Sequence, residues 1–172
     1  EQAQKVIPAS GLQLVVSPFD EQAVEAALRI REQVGEARIT AMTVGPESAR
    51  NALRHALAMG ADDGVLVTDA ALADAPSHVT ALALSHAIRI VGAVDLILTG
   101  RQAADTDAGI VGCALAERLG LPVVTFARAI DVSGGSVRVE RVLADGFETL
   151  EGNLPAVITV SNELGAARKP NL

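Results

Sequence analysis

Leu98-Thr99-Gly100-Arg101-Gln102-Ala103-Ala104-Asp105-Thr106-Asp107-Ala108-Gly109-Ile110-Val111-Gly112 decides how this chain is read. An apolar run, Val94 to Leu98, feeds into it, and a helical pattern, Cys113 to Leu119, leaves it. The connection holds Gly100, Gly109 and Gly112, two acids and two small hydroxyl residues. That is the layout of a phosphate site. A strand ends, small residues let the backbone approach a ligand, and a helix begins with free N–H groups aimed at an anion. The stretch is neither a G-x-G-x-x-G fingerprint nor a Walker loop. Glycines at a strand-to-helix turn also occur for structural reasons alone.

The same rhythm runs outward in both directions. Leu12 to Val16 reads as a short strand, and Pro18 then opens a helical face at Ala23, Ala27, Ile30 and Val34. Arg38 to Val44 is a strand ending in Gly45-Pro46, and Ser48 to Met59 is a helix closed by Gly60. Val65 to Thr68 is a strand, Pro76 to Val91 a helix, and Val94 to Leu98 the strand before the key loop. Ala108 to Leu119 is the helix after it, and Val123 to Ala127 the next strand. Alternating strands and helices with apolar strands predict a Rossmann-like, mostly parallel sheet in a three-layer α/β/α arrangement. Ligands of such sheets bind at the carboxyl ends of strands.

Beyond Ala127 the pattern changes. Ile130 to Val132 and Ser136 to Val142 flank Ser133-Gly134-Gly135, which reads as a β-hairpin with alternating polar and apolar residues. Asp145-Gly146 is a second turn, and Phe147 to Leu150 and Ala156 to Val160 read as further strands. An antiparallel β-ribbon near the C-terminus is therefore expected beside the parallel sheet. Residues 1–172 read as one domain.

Composition narrows the function classes. Aromatics are 2% of the chain, three Phe with no Trp or Tyr, so there is little surface for stacking nucleobases. A net charge of −7 argues against nucleic acid and anionic membranes as partners. One cysteine excludes an internal disulfide and fits a reducing compartment. No apolar run approaches the roughly 20 residues of a membrane span.

Several segments together resemble the β subunits of electron transfer flavoproteins, the group that includes the FixA proteins. They are Ser17-Pro18-Phe19-Asp20-Glu21, Val44-Gly45-Pro46-Glu47, Ala56-Leu57-Ala58-Met59-Gly60-Ala61-Asp62, and Gly100-Arg101-Gln102-Ala103 followed by Asp105 and Asp107. Val139-Glu140-Arg141, Gly146-Phe147-Glu148-Thr149 and Leu154-Pro155-Ala156-Val157 complete the series in the same order. The resemblance implies an adenine nucleotide alpha hydrolase-like fold and an electron carrier without catalytic residues of its own. It implies an α-subunit partner holding FAD, an adenine nucleotide (AMP or a second FAD) in this chain, and flavin dehydrogenases such as acyl-CoA dehydrogenases as electron donors. The phosphate would sit on the amides of Ala108, Gly109, Ile110, Val111 and Gly112. Adenine and ribose would lie near Ser17, Val44 and the stretch Gln102, Ala103 and Asp105. Phe19 matches an aromatic near the partner's flavin. A cytoplasmic location in bacteria, or the mitochondrial matrix in a eukaryote, follows from the same likeness.

The chain departs from the family pattern in places. Nothing before Val6 supplies the usual first apolar strand, and the C-terminal arm does not follow Pro170-Asn171-Leu172. The resemblance therefore implies a first strand and an arm outside these residues. Ser17 stands for an Asn, and Gly165-Ala166-Ala167-Arg168 for Asn-Glu-Pro-Arg. Ala108, Gly109 and Ile110 replace polar side chains, which leaves only backbone amides for a phosphate and implies weaker binding. A stand-alone adenine-nucleotide module, similar to universal stress proteins, is the alternative. An enzyme acting on an adenylate lacks a convincing nucleophile or base.

Other candidates have plainer readings. His55, His78 and His86 lack partners at metal-ligand spacing. Cys113 reads as a buried small residue, although a helix N-terminus lowers a thiol's pKa. Asp105 and Asp107 read as turn-capping or ribose-binding acids rather than a metal pair, and Asp20 and Glu21 as a helix start. Arg138, Glu140 and Arg141 read as a solvated ribbon face, with docking of a partner as the alternative.

Overall fold

Ser17 and Pro18 start the first helix as their chemistry dictates. In the computed structural model, which describes residues 14–73 and 75–170, Ser17 caps helix α1 (Pro18–Val34) by accepting the Phe19 N–H at 3.3 Å. The expected strand Leu12 to Val16 does not form over its described part. Residues 14–16 are extended without a partner strand and Val15 is 76% exposed, while Leu12 and Gln13 lie outside the described residues.

The remaining elements follow in order. They are β1 (Thr40–Val44), α2 (Arg50–Met59), β2 (Asp63–Val67), α3 (Ser77–Val91), β3 (Leu96–Gly100), α4 (Val111–Leu119), β4 (Val123–Ser133), β5 (Ser136–Leu143), β6 (Gly146–Asn153) and β7 (Ala156–Val160). Most bounds fall within two or three residues of the sequence reading. Helix α4 starts three residues later than Ala108, because Gly109 at φ 62° and Asp107 at φ 51° are left-handed and cannot continue a right-handed helix. The two segments Val123 to Ala127 and Ile130 to Val132 are one bent strand, β4.

The parallel strands fall into two groups. β1 and β2 pair with each other. A second sheet has the order β3-β7-β4-β5-β6, parallel across β3, β7 and β4 and antiparallel across β4, β5 and β6. Strand β7 is its centre, with Ala156, Val157, Ile158, Thr159 and Val160 all buried. Burying each large aliphatic there contributes roughly 1.5–3 kcal/mol. Side chains alternate across the sheet. Val160 and Leu98 pack with Ala23 and Ala26 of α1, whereas Thr99 and Thr159 lie against Gly112 of α4. Helices thus cover both faces, and the three-layer α/β/α expectation holds.

Between the two sheets, β1 and β3 face each other across an apolar cleft lined by residues such as Met42, Ile88, Leu96, Leu98 and Leu115. Both strands are half-buried along nearly their whole length, unlike β7. Strand β4 joins core to ribbon. It pairs with β7 up to Ala127 and with β5 from Ala127 onward, and its register shifts on both sides of that residue. Gly134 and Gly135, both at positive φ, make the tight turn of the ribbon.

Candidate functional site

The loop between β3 and α4 lies at the carboxyl end of β3, as the sequence suggested. Two close approaches shape it. A Cβ on Gly100 would lie 2.8 Å from the Phe19 backbone and from Asp20 Oδ1, so only glycine lets the start of α1 rest on the end of β3. The Gly100 N–H donates to Asp20 Oδ1 at 2.8 Å, which gives Asp20 a second task beyond the first helical turn. A Cβ on Gly112 would lie 2.6 Å from Thr159 Cγ2 and 2.7 Å from Thr99 Oγ1. Gly112 is therefore required where α4 presses onto the sheet, and its backbone is ordinary helix. Gly109 is required for its left-handed backbone.

The loop closes on itself. Gln102 Nε2 donates to Asp107 Oδ1 at 2.7 Å, and the Asp107 N–H to the Ala103 carbonyl at 3.0 Å. Asp107 is thus a turn-holding acid. Ala103, Asp105, Ala108, Gly109 and Ile110 are exposed, and Val111 is half-buried. No side chain caps α4, and the first bond back along it runs from the Ala114 N–H to the Ile110 carbonyl. The leading amides of the helix therefore have no partner within it. Beside them Thr99 Oγ1 is buried with no hydrogen-bond partner. Cys113 is exposed, against the expectation of burial, because Leu115 and Ala116 supply the inward face of α4.

Ser17, Phe19 and Gly100 are brought together by these contacts, whereas Gln102 turns to Asp107. Val44 and Gly45 stand at the carboxyl end of β1 in the other sheet, where the Gly45 N–H donates to the Val67 carbonyl at 3.0 Å. His55 bridges to Glu21 at 2.9 Å, tying α2 to α1. Among the described residues no cluster of three or more metal-ligating side chains exists.

Two features escaped the sequence reading. Arg101, passed over beside Gln102, lies against two of the three phenylalanines, 5.4 Å from the Phe19 ring and 5.1 Å from the Phe126 ring. Phe126 sits at φ 59° in the bend of β4, with its N–H donating to Thr159 Oγ1 at 3.0 Å. The third phenylalanine, Phe147, is stacked under Arg128 at 3.9 Å. The second feature is Arg168, in a tail without periodicity. It donates to Glu25 from its backbone N–H at 3.1 Å and from Nε at 2.7 Å, and to Glu32 at 2.8 Å. Glu25 is 4% exposed. Burial alone would raise its carboxyl, but hydrogen bonds from Arg168 and Arg29 outweigh it and hold the group at about 2. Arg29 also donates to the Leu164 and Ala166 carbonyls, so the segment after β7 is fastened to α1.

The profile of the electron transfer flavoprotein domain matches residues 5–171. The chain belongs to that family. It is 42% identical over 168 residues to the electron transfer flavoprotein subunit beta of Thermoanaerobacterium thermosaccharolyticum, covering 98% of this chain and 64% of the relative. Protein FixA of Azorhizobium caulinodans is 38% identical over 170 residues, covering 95% and 60%. The caffeyl-CoA reductase-Etf complex subunit CarD of Acetobacterium woodii is 39% identical over 158 residues, covering 92% and 60%. The chain thus spans about three-fifths of the length of these members of the electron transfer flavoprotein family. Among the described residues no helix is long and apolar enough to cross a membrane.

Proposed function

We propose that this chain is the nucleotide-binding part of a β-type electron transfer flavoprotein subunit. It holds an adenine nucleotide, AMP or a second FAD, on the loop after β3, and it works with an α-type subunit that carries FAD. Electrons come from flavin dehydrogenases, acyl-CoA dehydrogenases among them. The chain supplies a scaffold and no catalytic group. The observation that carries this reading is the uncapped start of α4, behind a stretch of small side chains from Ala103 to Gly109. The amides of Val111, Gly112 and Cys113 suit a phosphate, and the helix dipole favours its charge. The unpartnered Thr99 hydroxyl beside Gly112 fits a site with polar capacity in reserve. Gln102 and Asp107, already bonded to each other, would keep the loop open for the ribose rather than pull an acid toward the phosphate. Phe19 adjoins Gly100 from the start of α1, where Ser17 caps the helix, and Val44 and Gly45, at the end of β1, would meet the nucleotide from the other sheet. When bound, the FAD of the complex accepts and releases electrons, and the residues of this chain bind, orient and shield.

The test is direct. With no Trp or Tyr, the protein absorbs little near 280 nm, so a bound adenine or flavin dominates its spectrum. The purified protein is denatured and its released small molecules are identified by mass spectrometry. AMP or FAD is the expected product. Release of nothing, together with no calorimetric binding of AMP, ADP or FAD, would overturn the reading.

A further inference from the structure

Arg101 leads to a second concavity, of about 380 Å³, between the bend of β4 and the end of β5. Its lining comprises Arg101, Thr125, Phe126, Arg141, Val142 and neighbouring Leu143 and Ala144. Two guanidinium groups and no carboxylate face it, in a chain of net charge −7. Arg141 is answered by Glu148 at 2.6 Å. Arg101 is in none of the ion pairs among the described residues. The other described cations without a carboxylate, Arg54, Arg89, Arg118 and Lys169, are exposed, whereas Arg101 is half-buried. Its Nε donates to Gln102 at 3.2 Å and Nη1 reaches Ser161 Oγ at a long 3.4 Å. The rest of its fork has no partner among the described residues. Glu163, whose carboxyl is held below its ordinary value by the Ser161 hydroxyl and also by the Arg101 charge, meets Arg101 only through that hydroxyl and forms no ion pair with it.

A partly desolvated, unpaired guanidinium is costly unless an anion completes it. Here it is also held in place by two aromatic rings, one of which, Phe126, is fixed in a backbone conformation that L-residues rarely adopt. Strain of that kind persists where the surrounding structure fixes a functional geometry. The exposed Phe126 ring and Leu143 add an apolar wall. We propose that this concavity is an anion-receiving site, distinct from the amides at the start of α4 although Arg101 belongs to the same loop. It takes a carboxylate or phosphate borne on a small flat apolar molecule, paired with Arg101 and laid against Phe126.

The test uses the isolated chain, labelled so that the arginine Nε–H and phenylalanine ring signals are resolved by NMR. Benzoate and phenyl phosphate are titrated in, with benzamide as the uncharged isostere of benzoate. Saturable shifts of Arg101 and Phe126 with either anion, absent with benzamide, are expected, and the stronger anion identifies the preferred group. Arg101→Gln should weaken binding at least about tenfold while leaving the amide spectrum folded. Added AMP should leave the benzoate response unchanged. An equal response to benzamide, or no response to either anion, would overturn the proposal, and so would displacement by AMP. The benzoate–benzamide contrast in the unmodified protein decides the matter even if Arg101→Gln fails to fold. A chain that binds no nucleotide would still show or lack this contrast, so the two readings fail separately.

Discussion

Gly109 and Gly112 answer to different forces, and substitution separates them. Gly109 has room for a side chain but a left-handed backbone. Gly109→Val should therefore cost about 1–2 kcal/mol in denaturant unfolding. It should weaken AMP binding by more than that in calorimetry, because the loop amides would have to re-aim. Gly112→Ala meets Thr159 and Thr99 side chains instead. Overpacking there should cost about 1–3 kcal/mol and push α4 off the sheet. A loss of affinity no greater than the loss of stability in Gly109→Val would show that this glycine serves folding alone. The sequence marked all the glycines of the loop alike, because their letters carry no record of which needs an angle and which needs space. It was equally silent on Arg101 and Phe126. Their partnership spans the loop and the bend of β4, and no local pattern links them.

At the scale of elements, the central strand and the cleft strands should behave differently. Ile158 of β7 is fully buried in the cluster that joins sheet and ribbon. Ile158→Ala should cost about 2–5 kcal/mol by thermal or denaturant unfolding. Amide hydrogen exchange should be slowest in β7, which is paired on both sides. It should be faster in β1 and along the cleft side of β3, where no neighbour strand bonds among the described residues. Equal protection across β1, β3 and β7 would contradict this ordering. The alternation of strand and helix was plain in the sequence because apolar runs and Gly or Pro stops repeat from Arg38 to Ala127. What could not be read was the sheet order. Placing β7 between β3 and β4 depends on contacts distant in the chain, and an apolar strand says nothing of which neighbours it takes. The ribbon was legible through Ser133-Gly134-Gly135 and Asp145-Gly146. The continuity of β4 was not, since its bend at Phe126 to Arg128 breaks the alternation that marks a strand.

The whole molecule carries an acid dependence with a definite sign. The carboxyl of Glu25 sits at about 2 when folded, against an ordinary 4.5. A depressed folded value stabilises above the unfolded value, and that stability is lost as pH falls from about 4.5 to about 2. The contribution at neutral pH is on the order of 3 kcal/mol. Unfolding followed across that window should therefore steepen on the acid side, and Glu25→Gln should flatten the profile while lowering stability at neutral pH. An unchanged profile in that variant would assign the acid transition to other groups. A prediction about partners belongs to this scale too. Co-expression with an α-type subunit should give a yellow complex if the proposed function holds, and Phe19→Ala should loosen its FAD, measured as flavin retained through gel filtration. The fastening of Glu25 by Arg168 has a further consequence, for a chain emerging from a ribosome. The acid and one of its cations, Arg29, are made early, but the other, Arg168, follows 143 residues later. At roughly 5–20 residues per second, that interval lasts on the order of ten seconds or more. Throughout it, Glu25 has Arg29 alone to answer it, and the rest of its hydrogen bonding waits for Arg168. The packing of the first helix is therefore completed only when the segment after β7 reaches it.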